Sequence, residues 1–333
     1  MIKGLIEGFY GPPWTHAERL DMVAFCGVEG LDTWVHAPKD DPYHRKLWRE
    51  PYPDAELAQL AELVRACEQN GVEFAYAIAP GLDICYSNHR ELETLMAKCD
   101  QLRSIGVRTF QLLWDDIEHD LKCAADERRY DGSVMPSGAA QADFSNRFRT
   151  AYLDGAPLVV CPMGYAGVGP TPYREAFGGE LDEGTIVYWT GPDVVPKEIT
   201  RTQLDGATEA FGHELLIWDN YPVNDFDPAR LFLGPLRNRD ATLFEGRCAG
   251  LIANAMLQAV PSKLALATVA DYLRNPGGYD PDASLERALR EYGAEVLEAL
   301  RALPAVGVAD LLAPGLSAAA ALALLESRWA DEL

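Results

Sequence analysis

Short apolar runs alternate along the chain with longer stretches whose apolar residues recur at helical spacing. Ile2–Glu7, Leu31–His36, Val72–Ala79 and Val107–Trp114 are the first four runs, and Pro157–Pro162, Thr185–Trp189, Leu215–Trp218 and Gly250–Ala253 continue the series. Each is nearly continuous in apolar residues instead of alternating with polar ones, the pattern of strands covered on both sheet faces. Helical segments lie between them, near His16–Cys26, Asp54–Asn70, Glu91–Ser104 and Ala139–Leu153. The second places Leu57, Leu60, Val64 and Cys67 on one face, begins at Asp54 as an N-cap and stops at Gly71. About eight strands in repeated βα units predict an α/β protein, a (β/α)8 TIM barrel over residues 1–275. A doubly wound open sheet is the alternative, although no GxGxxG follows the first run.

The composition shifts after Asn275. Pro276-Gly277-Gly278 breaks the pattern, and Leu285, Ala288, Leu289, Tyr292, Val296, Leu300 and Leu303 then keep helical spacing. With a last helix over roughly Ser317–Trp329, residues 276–333 are expected to form a small C-terminal helical domain.

Polar residues gather at the carboxyl end of run after run. Glu7-Gly8, Lys39-Asp40-Asp41, Asp83, Asp115-Asp116, Tyr165, Thr190, Trp218-Asp219-Asn220 with Asp225, and Asn254 follow the successive strands. In a closed parallel barrel these ends meet at one face, where barrel active sites are built. Asp115-Asp116 is the pair with most chemical content, because adjacent carboxylates beside a core disfavour double ionisation and suit acid–base work. An N-cap plus a solvated loop charge is the plain alternative. Trp189 and Trp218 fit either a sugar-stacking platform or a core plug. Lys39 fits a ligand-directed donor or an ordinary loop lysine. His36, His44 and His119 read as structural hydrogen-bonders, since no Ser or Cys nucleophile motif accompanies them.

The bulk properties narrow the partners. The 333 residues carry a formal net charge of −22, which repels nucleic acid and anionic membranes. The longest Ala/Leu run, Ala318 to Leu325, is far short of the roughly 20 residues of a membrane span. Seven cysteines without a CxxC and six scattered histidines offer no zinc pattern, so no metal and no cofactor is expected. The thiols read as reduced and mostly buried, and Met1–Gly8 has no signal-peptide pattern, so a cytoplasmic location is expected. The apolar C-terminal helices offer an interface for a homodimer.

Several strings together resemble family 84 of the glycoside hydrolases, the O-GlcNAcases and bacterial β-N-acetylglucosaminidases. They are Ile6-Glu7-Gly8-Phe9-Tyr10-Gly11 with Trp14, Ala37-Pro38-Lys39-Asp40-Asp41 with Tyr43-His44-Arg45, and Pro80-Gly81-Leu82-Asp83-Ile84. Asp115-Asp116-Ile117, Cys161-Pro162 with Tyr165, Trp189-Thr190-Gly191-Pro192, Trp218-Asp219-Asn220 and Arg230-Leu231-Phe232-Leu233-Gly234-Pro235 follow in order. The resemblance implies a retaining exo-β-N-acetylglucosaminidase that uses the substrate's acetamido group as nucleophile and acts on β-linked N-acetylglucosamine glycoconjugates, including O-GlcNAc on Ser or Thr. Asp115 resembles the carboxylate that orients the acetamido N–H, and Asp116 the general acid and base. Tyr165 resembles the phenol that bonds the acetamido oxygen, and Trp218 and Thr190 the walls of the N-acetyl pocket. Gly8, Lys39, Asn220, Asp225 and Asn254 match groups around the sugar. Met163-Gly164 and Ala253-Asn254-Ala255-Met256 depart from the usual pattern and bear on recognition beyond the sugar. Three alternatives stand beside this reading. One is a hexosaminidase of glycan or cell-wall fragments, one a non-catalytic glycan-binding barrel, and one a glycosidase whose own Glu7 or Asp225 is the nucleophile.

Overall fold

The computed structural model describes residues 1–302 and 316–317. β1 (Ile2–Glu7), α1 (His16–Glu29), β2 (Thr33–His36), α2 (Asp54–Gln69), β3 (Glu73–Ile78), α3 (His89–Ser104) and β4 (Thr109–Leu113) make the first half. α4 (Ala124–Tyr130), α5 (Pro136–Tyr152), β5 (Val159–Cys161), α6 (Pro172–Glu180), β6 (Ile186–Trp189), α7 (Arg201–Phe211) and β7 (Leu215–Asp219) follow. The chain continues through β8 (Arg230–Leu231), β9 (Cys248–Asn254), α8 (Ala259–Arg274), α9 (Pro281–Ala302) and β10 (Leu316–Ser317). Strands β1 to β7 and β9 pair in parallel in that order, and β9 returns to β1 with Ile2 opposite Gly250, closing an eight-stranded barrel. The open-sheet alternative is thereby excluded. β8 and β10 form a separate two-stranded antiparallel pair, which apolar periodicity did not signal.

Strand residues divide by parity. Ile6, Val35, Ala75, Ala77, Leu113, Val159, Cys161, Tyr188, Leu216 and Ile252 face the lumen and form its core. Their neighbours Leu5, Trp34, Phe74, Tyr76, Leu112 and Leu251 face the helices and join the larger outer core. This is why the strands read as continuous apolar runs: both rows are buried. The helix starts are fixed locally. Thr15 and Thr200 close capping boxes with Glu18 and Gln203, satisfying backbone donors that the helix itself leaves unpaired. For α2 the structure moves the boundary. Pro53 is the N-cap and Asp54 lies in the first turn, where its charge still complements the helix dipole.

α9 bears out the helical spacing after Pro276, and Ala288, Val296 and Leu300 on it are buried. It lies against α8 and α1: Tyr292 packs on Phe25 at 5.1 Å, and Arg287 pairs with Glu29 at 3.0 Å and Asp271 at 2.9 Å. The helix expected over 317–329 lies outside the described residues, apart from Ser317, which sits in β10.

The cysteine reading needs a correction. Cys85 and Cys123 form a disulfide, while Cys26, Cys67, Cys99, Cys161 and Cys248 are free and buried. The bond ties the loop after β3 to the loop after β4. Its two cysteines are 38 residues apart, so no local motif announced the pair. The compartment expectation loses the premise that every thiol is reduced. No described helix is long and apolar enough to cross a membrane.

Candidate active site

The lumen row of every barrel strand except β3, continued past its last residue, supplies the polar groups at the mouth. After Leu113, Trp114 turns outward. Its N–H extends the ladder to the Cys161 carbonyl at 2.8 Å and its indole donates to Ser145 Oγ at 3.1 Å. Asp115 therefore turns inward. The same alternation carries Ile6 to Gly8, Leu216 through Trp218 to Asn220, Tyr188 to Thr190, and Ile252 to Asn254. Gly8, Lys39, Asp115, Asp116, Tyr165, Thr190, Trp218, Asn220, Asp225 and Asn254 all line one cavity of about 260 Å³. Every residue that the family resemblance placed at the site is brought together there, whereas the other strand-end acids Glu7, Asp40, Asp41, Asp83 and Asp219 do not line it.

The carboxylate pair is divided by its backbone. Asp115 is 5% exposed, and its Oδ2 is paired with the Lys39 ammonium, itself buried. Its Oδ1 is buried and has no hydrogen-bond partner. Asp116, by contrast, is exposed and left-handed, with φ at 54°. That region is unusual for a residue with a Cβ and is concentrated at functional sites. Tyr165 OH donates to one of its oxygens at 2.8 Å and Tyr10 OH to the other at 2.8 Å. Arg45 donates to the Tyr10 oxygen at 2.6 Å and to the Asp116 carbonyl at 2.7 Å. Burial, with the Asp116 charge next in weight, raises both phenols above their ordinary range, so both remain protonated donors.

Around this pair the walls are cross-braced. Asn220 Oδ1 accepts from the Trp218 indole and from Asn254 Nδ2, each at 3.0 Å, while its Nδ2 donates to the Val194 carbonyl at 2.7 Å. Asn254 Oδ1 in turn accepts from the Gly8 N–H at 3.3 Å. Trp218 stands as a wall 5.4 Å from the Lys39 ammonium, edge-on to Tyr188. Gly8 lets that wall approach, because a Cβ there would lie 2.6 Å from the Trp218 ring. Asp225 Oδ2 accepts from the Tyr10 N–H at 2.8 Å. Thr190 Oγ1 is engaged by the Asp193 carbonyl at 3.0 Å.

Three readings are sharpened by this geometry. Glu7 belongs to the outward row, where Arg19 grips it at 2.8 and 2.9 Å, and it does not line the cavity. It is therefore not placed to attack a sugar. Trp189 is a core plug, fully buried with its indole on the Gly167 carbonyl. His44 and His119 are hydrogen-bonded to the Ala77 carbonyl and to Ser137 Oγ. His36, expected to do the same, has neither ring nitrogen hydrogen-bonded and is instead stacked against Phe74 and Tyr76. Tyr10 and Arg45 act on the site through contacts with residues distant in sequence, and only their place in the family strings hinted at them. Among the described residues the one group with ligand atoms close enough for a metal is Cys85, Cys123 and Asp126. Its two sulfurs are joined to each other, and a disulfide is not a thiolate ligand.

Two neighbouring carboxylates, an indole wall and amide groups thus meet around one hollow at the carboxyl ends of a closed parallel barrel. The chain belongs to the β-N-acetylglucosaminidase family, whose model matches residues 3–305. It is 37% identical over 280 residues to the protein O-GlcNAcases of Rattus norvegicus and Mus musculus, covering 82% of this chain and 30% of each relative. The chain thus spans about a third of the length of those relatives. Among solved structures, an O-GlcNAc hydrolase variant from Thermobaculum terrenum superposes with a TM-score of 0.83 at 36% identity, covering 89% of this chain and 64% of that one. CpGH84B superposes with a TM-score of 0.79 at 33% identity, covering 87% and 51%.

Proposed function

We propose that this chain is a retaining exo-β-N-acetylglucosaminidase in which the acetamido group of the bound sugar is the nucleophile, and that it removes O-linked β-N-acetylglucosamine from Ser or Thr of proteins. The observation that carries this reading is the Asp115 carboxylate. One oxygen is held by Lys39, and the other is buried and unpartnered, in a side chain whose residue lines the cavity. An acetamido N–H supplies the donor that such an oxygen lacks. The amide oxygen then attacks C1, the bond from C1 to the aglycone oxygen breaks, and its electron pair leaves with that oxygen. Asp116 protonates the departing oxygen and later takes a proton from the water that opens the oxazoline. Asp115 stays ionised and offsets the positive charge developing on the oxazoline. The internal nucleophile gains effective molarity, so no enzyme carboxylate need attack.

Tyr165 now bonds Asp116 and would pass to the acetamido oxygen when sugar binds. Trp218 and Thr190 wall the N-acetyl pocket, and Gly8, Lys39, Asp225 and Asn254 hold hydroxyls. Asn220, with its oxygen engaged by Trp218 and Asn254, holds the pocket in shape. Turnover of aryl β-N-acetylglucosaminide against the matching aryl β-glucoside tests the reading. The acetamido sugar should be cleaved and the glucoside should not. Asp116→Ala should keep sugar binding and lose turnover, by about 10²- to 10⁴-fold and most for poor leaving groups. Equal rates on the two sugars, or a trapped glycosyl ester on a protein side chain, would refute it.

A further inference from the structure

A second, larger cavity of about 520 Å³ adjoins the first and shares only Asp116 and Tyr165 with it. It rests on the reading of Asp116 as the acid: an acid must reach the departing oxygen, so whatever departs lies on the far side of this side chain. That side is walled by Ile117, Met135, Met163, Pro172, Tyr173 and His119. Its remaining side-chain polar groups are few, and the Tyr173 hydroxyl, the Thr171 oxygen and one ring nitrogen of His119 are already engaged. His119 bonds Ser137 and packs edge-on to Tyr173 at 5.7 Å, and Thr171 caps α6 through the Arg174 N–H. Asp116 is the one charged residue in the lining, and no Asn, Gln, Lys or Arg is part of it. Gly164 sits in this wall because a Cβ would lie 2.9 Å from the Tyr173 ring, and the Tyr173 hydroxyl bonds the Met163 N–H at 2.9 Å. The departure at Met163-Gly164 is thus part of a built surface.

We propose that this cleft is a specificity site for an uncharged, apolar aglycone, namely a polypeptide segment with aliphatic or aromatic side chains flanking the glycosylated Ser or Thr. A second sugar would want several side-chain donors and acceptors for its hydroxyls, and the cleft offers few of them. Met135 is unbranched and polarisable and adapts to apolar side chains of differing shape, while Met163, whose sulfur accepts from the Gln141 amide at 3.0 Å, adds a fixed apolar wall, so the preference is for character over sequence.

The test compares kcat/KM on three substrates. Two are O-GlcNAc-serine peptides of equal length and charge, one with Leu and Val flanks and one with Ser and Gln flanks. The third is N,N′-diacetylchitobiose. Neutral flanks are used because the net charge of −22 would itself repel acidic ones. The apolar peptide should lead the polar one by on the order of tenfold and chitobiose by more. Met163→Gln should bring the peptide ratio towards one while leaving inhibition by free N-acetylglucosamine unchanged. Met135→Gln, on a separate element, should do the same and serves if Met163→Gln fails to fold. Equal rates on the two peptides, a ratio that survives both variants, or chitobiose matching the apolar peptide overturns the proposal while the hydrolase reading stands. Cleavage of none of the three overturns the hydrolase reading itself, and the proposal with it.

Discussion

Arg45 is 71 residues from Asp116 in sequence, yet its guanidinium holds the Asp116 carbonyl at 2.7 Å and the Tyr10 hydroxyl at 2.6 Å. The Tyr10 hydroxyl in turn donates to the Asp116 carboxylate. One side chain therefore fixes both the left-handed backbone of Asp116 and the direction of its acid group. Arg45→Ala should lower kcat by about 10²-fold, the scale of a 1 Å misplacement of a reacting group. KM should change little, and the loss should be steeper for alkyl than for aryl leaving groups. Arg45→Lys, which lacks the planar fork, should recover only part. A loss equal across leaving groups would mean a general structural effect.

Lys39 and Asp115 form an ion pair whose side chains are 1% and 6% exposed. Removing one partner leaves a buried charge. Lys39→Met should lower the unfolding free energy by about 3–5 kcal/mol. Adding Asp115→Asn should restore most of it, because the unmatched carboxylate is gone. Urea unfolding of Lys39→Met, Asp115→Asn and the double variant beside the parent decides this. Additive losses would show that the pair is not coupled.

The Cys85–Cys123 bond closes a loop with a sequence separation of 38. Opening it should destabilise the fold by about 2–4 kcal/mol. Thermal unfolding with and without dithiothreitol, against a Cys85→Ser/Cys123→Ser variant, measures the effect. The variant should be indifferent to the reductant. A parent that is equally indifferent would show that the tether adds nothing.

Burial lowers His44 from its ordinary value to about 3, with the Lys39 charge adding to the shift. The unfolded chain thus binds a proton below about 6.5 that the native chain refuses, so native stability falls as pH drops through that window. Relative to His44→Gln, the parent should lose about 1.4 kcal/mol per pH unit between about 6.5 and 3. Measuring the pair at pH 7, 6 and 5 isolates this group from the other titrating side chains. A constant difference would contradict the buried, neutral state.

Much of this was legible in the sequence, for a physical reason. A parallel barrel buries both rows of every strand, so each strand stands out as an apolar run, and the polar residue ending each run marks the mouth. Asp115 and Asp116 were found in this way. Tyr10, Arg45 and the disulfide were not assigned a role, because their partners are 106, 71 and 38 positions away and no local period encodes such pairs. The Asp54 cap failed because Pro53, with its extended backbone, already occupied the flanking position. The short helix α4 carries too few residues to display a period.

Parity along the strands has one more consequence. Gly8, Asp115, Thr190, Asn220 and Asn254 reach the mouth because each stands an even number of positions beyond a residue that faces the lumen. Losing a single amino acid within Thr109–Leu113 would swing Asp115 out among the helices and bring Trp114 in, dismantling the cavity without touching any residue that lines it. Lengthening the connections between strands and helices leaves that count intact. Descendants of this barrel are therefore free to rebuild their loops, while the spacing inside each strand is frozen.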